Sequence, residues 1–387
     1  MKPPRQRAIS HMGDAAPIAY DTGGQGQKAH RSWFRGAHTN FNPNVANMAA
    51  FNAVPDFVLH GWLPETPPIS RDTNIVAFGS CFAENITKWL AKRDYSVLTA
   101  KDSAYGDTYV VRFGEGMVNS FVLRQQFEWA LEGRDFSEHL WHGKSGETVD
   151  YDDAIRARTR EVFLAADLFI ITLGLSEIWY DKDSGDAFWR AVPEDQYDPD
   201  RHGFRVSSVE ENRANLHAIH ALIRKHRPDA RILFTMSPVP LVATFRPVSC
   251  ITANTASKAI LRAALDEALR DLQPIDDKLH YWPSYEIVMD VFPDRWTPDR
   301  RHFREPILDY IMTLFETFWC EGRPQMDLRL AWLRAKAASG QLPARLLRLL
   351  DKGPEDRLRG FLKKIEAEFP ADAALVEALL EEQLILT

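Results

Sequence analysis

Cysteine is scarce. Cys81, Cys250 and Cys320 are the only three in 387 residues, which excludes a disulfide framework, and their spacing is not that of a zinc ligand set. No apolar run approaches the roughly 20 residues of a membrane-spanning helix. Residues 1–32 carry basic side chains but no apolar stretch of the secretory-signal type. Together these absences lead to the expectation of a cytoplasmic protein. Positive charge is not in excess either: 47 Lys and Arg against 54 Asp and Glu give a net charge of -7, which argues against a general nucleic-acid binder. Arg300-Arg301 and the group from Arg345 to Arg348 have acids nearby and read as solvated faces. No glycine-rich phosphate loop and no His, Cys or carboxylate cluster with ligand spacing is present, so neither metal nor cofactor is expected.

What is present is an ordinary globular composition, 45% hydrophobic and 26% charged, long enough for one large domain with additions. Residues 1–36 are rich in Gly, Gln, His and Arg without periodicity and read as a loosely attached arm. From there strand-like and helix-like stretches alternate. Apolar runs at residues 75–78, 95–98, 167–174 and 231–236 read as strands, and that at 167–174, apolar throughout, predicts a parallel strand covered on both faces. Helical spacing recurs over residues 82–93, 117–131, 152–165, 207–226, 251–272 and 306–318. Residues 181–203 read as a long polar loop, residues 296–303 as another, and Tyr285 as packing in the sheet. The alternation indicates a doubly wound three-layer α/β domain over roughly residues 65 to 322. An arm over residues 1–64 precedes it, and an all-helical extension over 323–387 follows.

The chain is organised around Asn74-Ile75-Val76-Ala77-Phe78-Gly79-Ser80-Cys81-Phe82-Ala83. A strand ends in a sharp turn, and a helix starts at once. A small nucleophile there has backbone N–H groups and the positive end of the helix dipole beside it. The same Ser80 also suits a plain helix cap, since serine accepts the N–H groups of the first turn. In open α/β sheets sites form beyond the carboxyl ends of the strands, and Gly79-Ser80, Gly174 to Glu177, and Ser237-Pro238 all fall at such ends. Near the end of the domain, Asp299 and His302 stand three residues apart. On one turn the carboxylate can orient an imidazole that reaches Ser80, the nucleophile, base and orienter arrangement of a serine hydrolase. Cys81 shares the dipole of Ser80, but its reading is that of a packing residue.

Gly79-Ser80-Cys81-Phe82-Ala83 resembles the signature of the GSCFA family, which is placed with the SGNH/GDSL-type hydrolases. The resemblance continues through Thr172-Leu173-Gly174, Ser237-Pro238-Val239, Asn254 to Lys258, Pro283-Ser284-Tyr285-Glu286 and Asp299 to His302. It implies a flavodoxin-like α/β/α sheet of about five strands and a triad of Ser80, His302 and Asp299. Such hydrolases build the oxyanion hole from the nucleophile's N–H, a glycine N–H and an asparagine side chain. The first maps onto Ser80. The second falls in the loop holding Gly114 and Gly116, with Asn119 close behind. For the third, the superfamily's Gly-x-Asn reads Gly174-Leu175-Ser176 here, a departure that leaves Ser176, Asn119 or another group to substitute. Asn254, at the start of the helix after Ser237-Pro238, is read as a cap with substrate contact as the alternative.

The resemblance implies a serine hydrolase or acyltransferase acting on an O-acyl ester, with an acetyl ester of a carbohydrate as the expected substrate and an acylated small molecule as the alternative. Trp179, Trp189 and Tyr197 are read as core packing, with an aromatic platform under a sugar ring as the alternative. A binding module on a hydrolase fold, with the C-terminal helices as a partner surface, is the rival reading, favoured by the missing asparagine and opposed by the retained Ser80, Asp299 and His302.

Overall fold

In the computed structural model, which describes residues 19–22, 25–28, 40, 42–136 and 139–384, Ala19–Thr22 (β1) pairs antiparallel with Gln25–Lys28 (β2). The rest of the loose arm expected over residues 1–36 lies outside the described residues. Val45–Ala49 (α1) follows, and Val54 and Leu59 just beyond it are buried in the same core as the sheet.

Ile75–Phe78 (β3) and Leu168–Leu173 (β4) are parallel neighbours. Glu177–Asp181 (β5) and His202–Val206 (β6) form a separate antiparallel hairpin. Arg231–Met236 (β7) and Leu279–Trp282 (β8) complete a four-stranded, all-parallel sheet in the order β3-β4-β7-β8. The strand expected at residues 95–98 is reduced to one parallel bridge, Val97 on Ile75, held by the N–H of Ile75 on the carbonyl of Ser96 and the N–H of Leu98 on the carbonyl of Ile75, both 2.8 Å. Counting that segment, the order across the sheet is 2-1-3-4-5 in chain sequence.

Side chains alternate across a strand, and here that alternation sorts the core into two layers. Val76, Phe78, Phe169, Ile171, Ile232 and Phe234 enter one apolar cluster, whereas Ile75, Ala77, Leu168, Ile170 and Leu233 enter the other. Cys81–Ala91 (α2) covers the second face through Phe82, Ile86 and Leu90. Ser120–Phe127 (α3), Asp153–Ala165 (α4), Val209–His226 (α5) and Cys250–Leu272 (α6) cover the first. Ser284–Val291 (α7) and Glu305–Trp319 (α8) return to the second. The helix starts are chemically marked. Asp152 accepts from the N–H of Ile155 at 2.9 Å, and Ser208 with Glu211 closes a reciprocal capping box.

The C-terminal helices Leu328–Ala338 (α9), Ala344–Lys352 (α10), Glu355–Ile365 (α11) and Pro370–Glu381 (α12) build a third apolar cluster of their own. α9 joins it to the domain, because Ala331, Trp332 and Ala335 belong to the second core and Leu333 and Ala337 to the third.

Three readings of local structure are completed or corrected. Residues 182–201 are the expected loop, but its ends are zipped into the β5–β6 hairpin, a pairing hidden because its strands mix polar and aromatic residues. Residues 296–303 close a small hairpin in which Trp296 and Phe303 are bridged and stacked at 5.2 Å. Tyr285 lies in the first turn of α7, not in the sheet.

Candidate active site

β3 delivers Gly79 to the carboxyl edge of the sheet with φ +124°, and a Cβ there would overlap the carbonyl oxygen of Thr172 in β4. Only glycine satisfies both the angle and the clearance. Ser80 follows in an extended conformation as the N-cap of α2, 5% exposed, and its Oγ accepts from the N–H of Phe82 at 3.1 Å. Its own N–H has no protein partner among the described residues. A nucleophile-sized hydroxyl, a free N–H and a helix N-terminus are thus brought together, a setting that favours negative charge.

Ser80 stands on the wall of two cavities. The smaller, about 250 Å³, runs along α2 toward Lys101. The larger, about 430 Å³, lies over the ends of β3, β4 and β7 and is lined by Ser80, Cys81, Gly116, Asn119, Gly174 and Arg301, with Trp179, Phe188, Trp189, Phe204 and Phe245 as an aromatic wall. The larger one gathers the polar groups and is of the size that takes a small organic ligand. The β5–β6 hairpin supplies Trp179 and Phe204 to it, and the segment within the hairpin supplies Trp189. Tyr197 is not on the wall but meets Trp179 edge-on at 5.8 Å.

The structure separates the expected oxyanion groups. Asn119 caps α3 by accepting from the N–H of Val122 at 3.0 Å, which leaves its side-chain amide donor on the cavity wall without a protein partner among the described residues. Gly116 donates its N–H to the carbonyl of Phe113 at 2.8 Å, so it offers clearance instead of a donor: the Arg190 guanidinium lies 2.7 Å from where its Cβ would be. Gly174 likewise donates its N–H to Val118 at 2.7 Å. The carbonyl of Gly114 accepts from Gly79 at 3.3 Å and ties this loop to the serine turn. Ser176 is fully buried away from the cavity wall. Its N–H is donated to Ser257 Oγ at 2.8 Å, and its carbonyl accepts from both the N–H and the hydroxyl of Ser207. Asn254 is neither on the wall nor the cap it was read as, since Ser249 caps α6 and Asn254 lies within the helix; its Oδ1 accepts from the N–H of Leu241 at 3.0 Å and pins the segment that follows β7.

Asp299 and His302 are paired, Nδ1 to Oδ2 at 2.5 Å. Asp299 also accepts from Thr297 Oγ1 at 2.6 Å and from the N–H groups of Arg301 and His302 at 2.9 and 3.0 Å. The Thr297 hydroxyl first, then His302 and the two N–H groups, hold its carboxyl well below the usual carboxylate range. Arg300 occupies the left-handed region at φ +56°, which tightens the turn. The His302 side chain is 63% exposed and makes no hydrogen bond to Ser80 among the described residues; its neighbour Arg301 is the member of this turn that lines the serine cavity.

Two residues at this edge were missed from sequence: Lys258 was given no role, and Arg301, read with Arg300 as a solvated face, instead lines the serine cavity with its Nε buried. Lys258, on the buried face of α6, donates to the carbonyls of Gly174 at 2.6 Å and Ser237 at 2.7 Å, and burial pushes its ammonium down to about 7. A lysine in helical register with Ala253, Leu261 and Leu265 was the available signal. Arg301 lay inside the Asp299 to His302 segment, but nothing in the spacing says which of two adjacent arginines turns inward. Among the described residues no group of His, Cys, Asp and Glu could hold a metal ion, and no helix is long and apolar enough to cross a membrane.

The model described as the GSCFA family matches residues 74–315, from β3 nearly to the end of α8 and across every residue of this cavity named above. No curated protein matches the chain.

Proposed function

The chain belongs to the GSCFA family, and from that premise we propose that it is a serine hydrolase or acyltransferase acting on O-acyl esters, with an O-acetylated saccharide as the leading substrate class. The observation that carries this reading is Ser80 itself: a hydroxyl at a glycine-backed strand-to-helix turn, with a free N–H, on a cavity wall shared with the free amide of Asn119. The 2-1-3-4-5 order of the parallel segments supports a flavodoxin-like sheet of the SGNH/GDSL type.

In the proposed reaction Ser80 Oγ attacks the acyl carbon while its proton passes to Nε2 of His302. Asp299 holds the Nδ1–H and stabilises the imidazolium. The N–H of Ser80 and the amide of Asn119 receive the oxyanion, so Asn119 takes the part that the superfamily gives to the asparagine replaced here by Ser176. His302 returns the proton to the leaving alcohol, and water or a sugar hydroxyl then releases the acyl group from Ser80. His302 comes to Ser80 by movement of its exposed turn once an ester fills the cavity, since catalytic hydrogen bonds tighten in the substrate complex. The aromatic wall of Trp179, Phe204 and Phe245 offers a surface for a sugar ring.

One observation favours a second reading, a binding module without turnover: Ser80 Oγ is engaged as a cap and unlinked to His302. Intact-mass labelling with a fluorophosphonate, with the adduct mapped by peptide, separates the two. The hydrolase reading expects one adduct on Ser80 that is absent from Ser80→Ala. A folded wild-type protein that stays unlabelled, or labels at Cys81, would overturn it.

A further inference from the structure

The cavity wall carries four charged side chains, Glu115, Glu177, Arg190 and Arg301. Three of them are answered within the protein. Glu115 holds Arg190 at 3.2 Å and Lys144 at 2.8 Å, and Glu177 accepts from Thr244 Oγ1 at 2.8 and 2.9 Å with Arg246 at 4.0 Å. Arg301 is different. Its guanidinium has no hydrogen bond, ion pair or ring contact among the described residues, and its Nε is buried without a partner. Within the turn its backbone is pinned, with the N–H on Asp299 at 2.9 Å and the preceding residue in the left-handed region, so Arg301 travels with Asp299 and His302 as one unit. A planar cation is therefore held at the wall of the serine cavity with its hydrogen-bonding capacity unspent.

We infer that Arg301 is the anion-binding group of the Ser80 cavity, and that the ester taken here carries a carboxylate on the same small molecule; for a saccharide, that is an O-acylated sugar acid. The inference rests on the hydrolase reading for the ester and on the cavity for the anion. Guanidinium and carboxylate match as two parallel hydrogen bonds. One unanswered cation suits a monoanion. A phosphate with ≈ −1.5 to −2 charge would face Glu115 and Glu177 with only Arg301 uncommitted. The aromatic wall leaves the ring of such a substrate an apolar face, so charge and ring are recognised by different sides of one cavity.

The test uses the full chain with 4-acetoxybenzoate and its uncharged isostere 4-acetoxybenzamide, each rate divided by that ester's spontaneous hydrolysis. The wild type should prefer the benzoate in kcat/KM by about tenfold to hundredfold, the range of one charge-assisted interaction. Arg301→Gln should bring the ratio near one, Arg301→Lys should keep part of it, and Arg301→Glu should reverse it. A wild-type ratio near one, or a ratio that Arg301→Gln does not move, overturns the inference. Calorimetry of 4-hydroxybenzoate and 4-hydroxybenzamide on Ser80→Ala separates this from failure of the hydrolase reading. Selective benzoate binding that Arg301→Gln removes, with no turnover of either ester, upholds the anion site and defeats the hydrolase. Turnover without selectivity does the reverse, and neither turnover nor selective binding defeats both. Turnover of 4-acetoxyphenyl phosphate equal to or above the benzoate would overturn the carboxylate assignment.

Discussion

Lys258 and Lys336 are both buried, yet the two ends of the molecule support them in opposite ways. In the helical region Lys336 meets Asp372 at 2.7 and 2.8 Å and the carbonyl of Ala49 at 3.0 Å, so one charge is answered by another and α9, α12 and α1 are clamped together. At the carboxyl edge of the sheet Lys258 meets, among the described residues, only two carbonyls, those of Gly174 and Ser237. The first arrangement compensates its charge and serves cohesion. The second leaves a proton loosely held in order to fix the ends of β4 and β7, which carry the walls of the serine cavity. The difference predicts that substitutions in the helical region change stability without touching chemistry, whereas at the strand ends the groups on the cavity wall change turnover.

The largest stability effect should come from Asp372→Ala, which leaves Lys336 buried and unpaired. Removing one member of a buried pair costs about 3–5 kcal/mol. Urea denaturation should register that loss, while the ester turnover per folded molecule stays at the wild-type value. A loss of turnover in the folded fraction would mean that the helices contribute to the site and would dissolve the contrast.

Asn119→Ala probes the other side. Loss of one oxyanion donor typically lowers kcat by about 10²–10³, whereas loss of the cap on α3 costs about 1 kcal/mol. We expect the rate effect to dominate, with the fluorophosphonate adduct on Ser80 slowed but still formed. Turnover reduced only in proportion to the unfolded fraction would return Asn119 to a capping role.

How much of this was legible beforehand follows the physics of each region. Strands β4 and β7 and helices α4 to α6 were readable because their apolar spacing is enforced by two covered faces. Ser80 was readable as a position, since Gly79 before it and the helical register after it are local signals. The β5–β6 hairpin was not, because its strands are short and the aromatic residues that close the cavity sit among polar ones. The uses of the glycines were also hidden: Gly116 makes room for Arg190 and Gly79 for Thr172, and both contacts join residues far apart in the chain. The same holds for the unanswered guanidinium of Arg301, which only a full account of its neighbours reveals.

Lys258→Met sharpens the comparison through pH. The ammonium has a reference value of 10.5 and is pushed down to about 7 in the folded chain. Between those values the unfolded chain binds more protons, so wild-type stability rises with pH through this window, by up to about 1.4 kcal/mol per pH unit. Below the folded value both states carry the proton and the slope vanishes. Methionine has no such group, so the wild type should gain stability relative to Lys258→Met between pH 6 and pH 9, on the order of 2 kcal/mol or more. Parallel pH profiles would show that Lys258 is not held as a perturbed amine.

The smallest effect is expected at Ser176, and it tests whether every polar residue at this edge belongs to the chemistry. Its hydroxyl makes one long contact, 3.3 Å to Ser257 Oγ, while its N–H and carbonyl do the anchoring. Ser176→Ala removes the hydroxyl and leaves both backbone bonds in place, so stability should fall by about 1 kcal/mol or less, with turnover and the Ser80 adduct unchanged. The niche is fully buried, so Ser176→Asn, which restores the superfamily pattern, adds volume where none is free and should destabilise without raising kcat. A rate gain in Ser176→Asn would move the third oxyanion donor from Asn119 to this position. Joined with an unaffected Asn119→Ala, it would reverse which end of the cavity holds the developing charge.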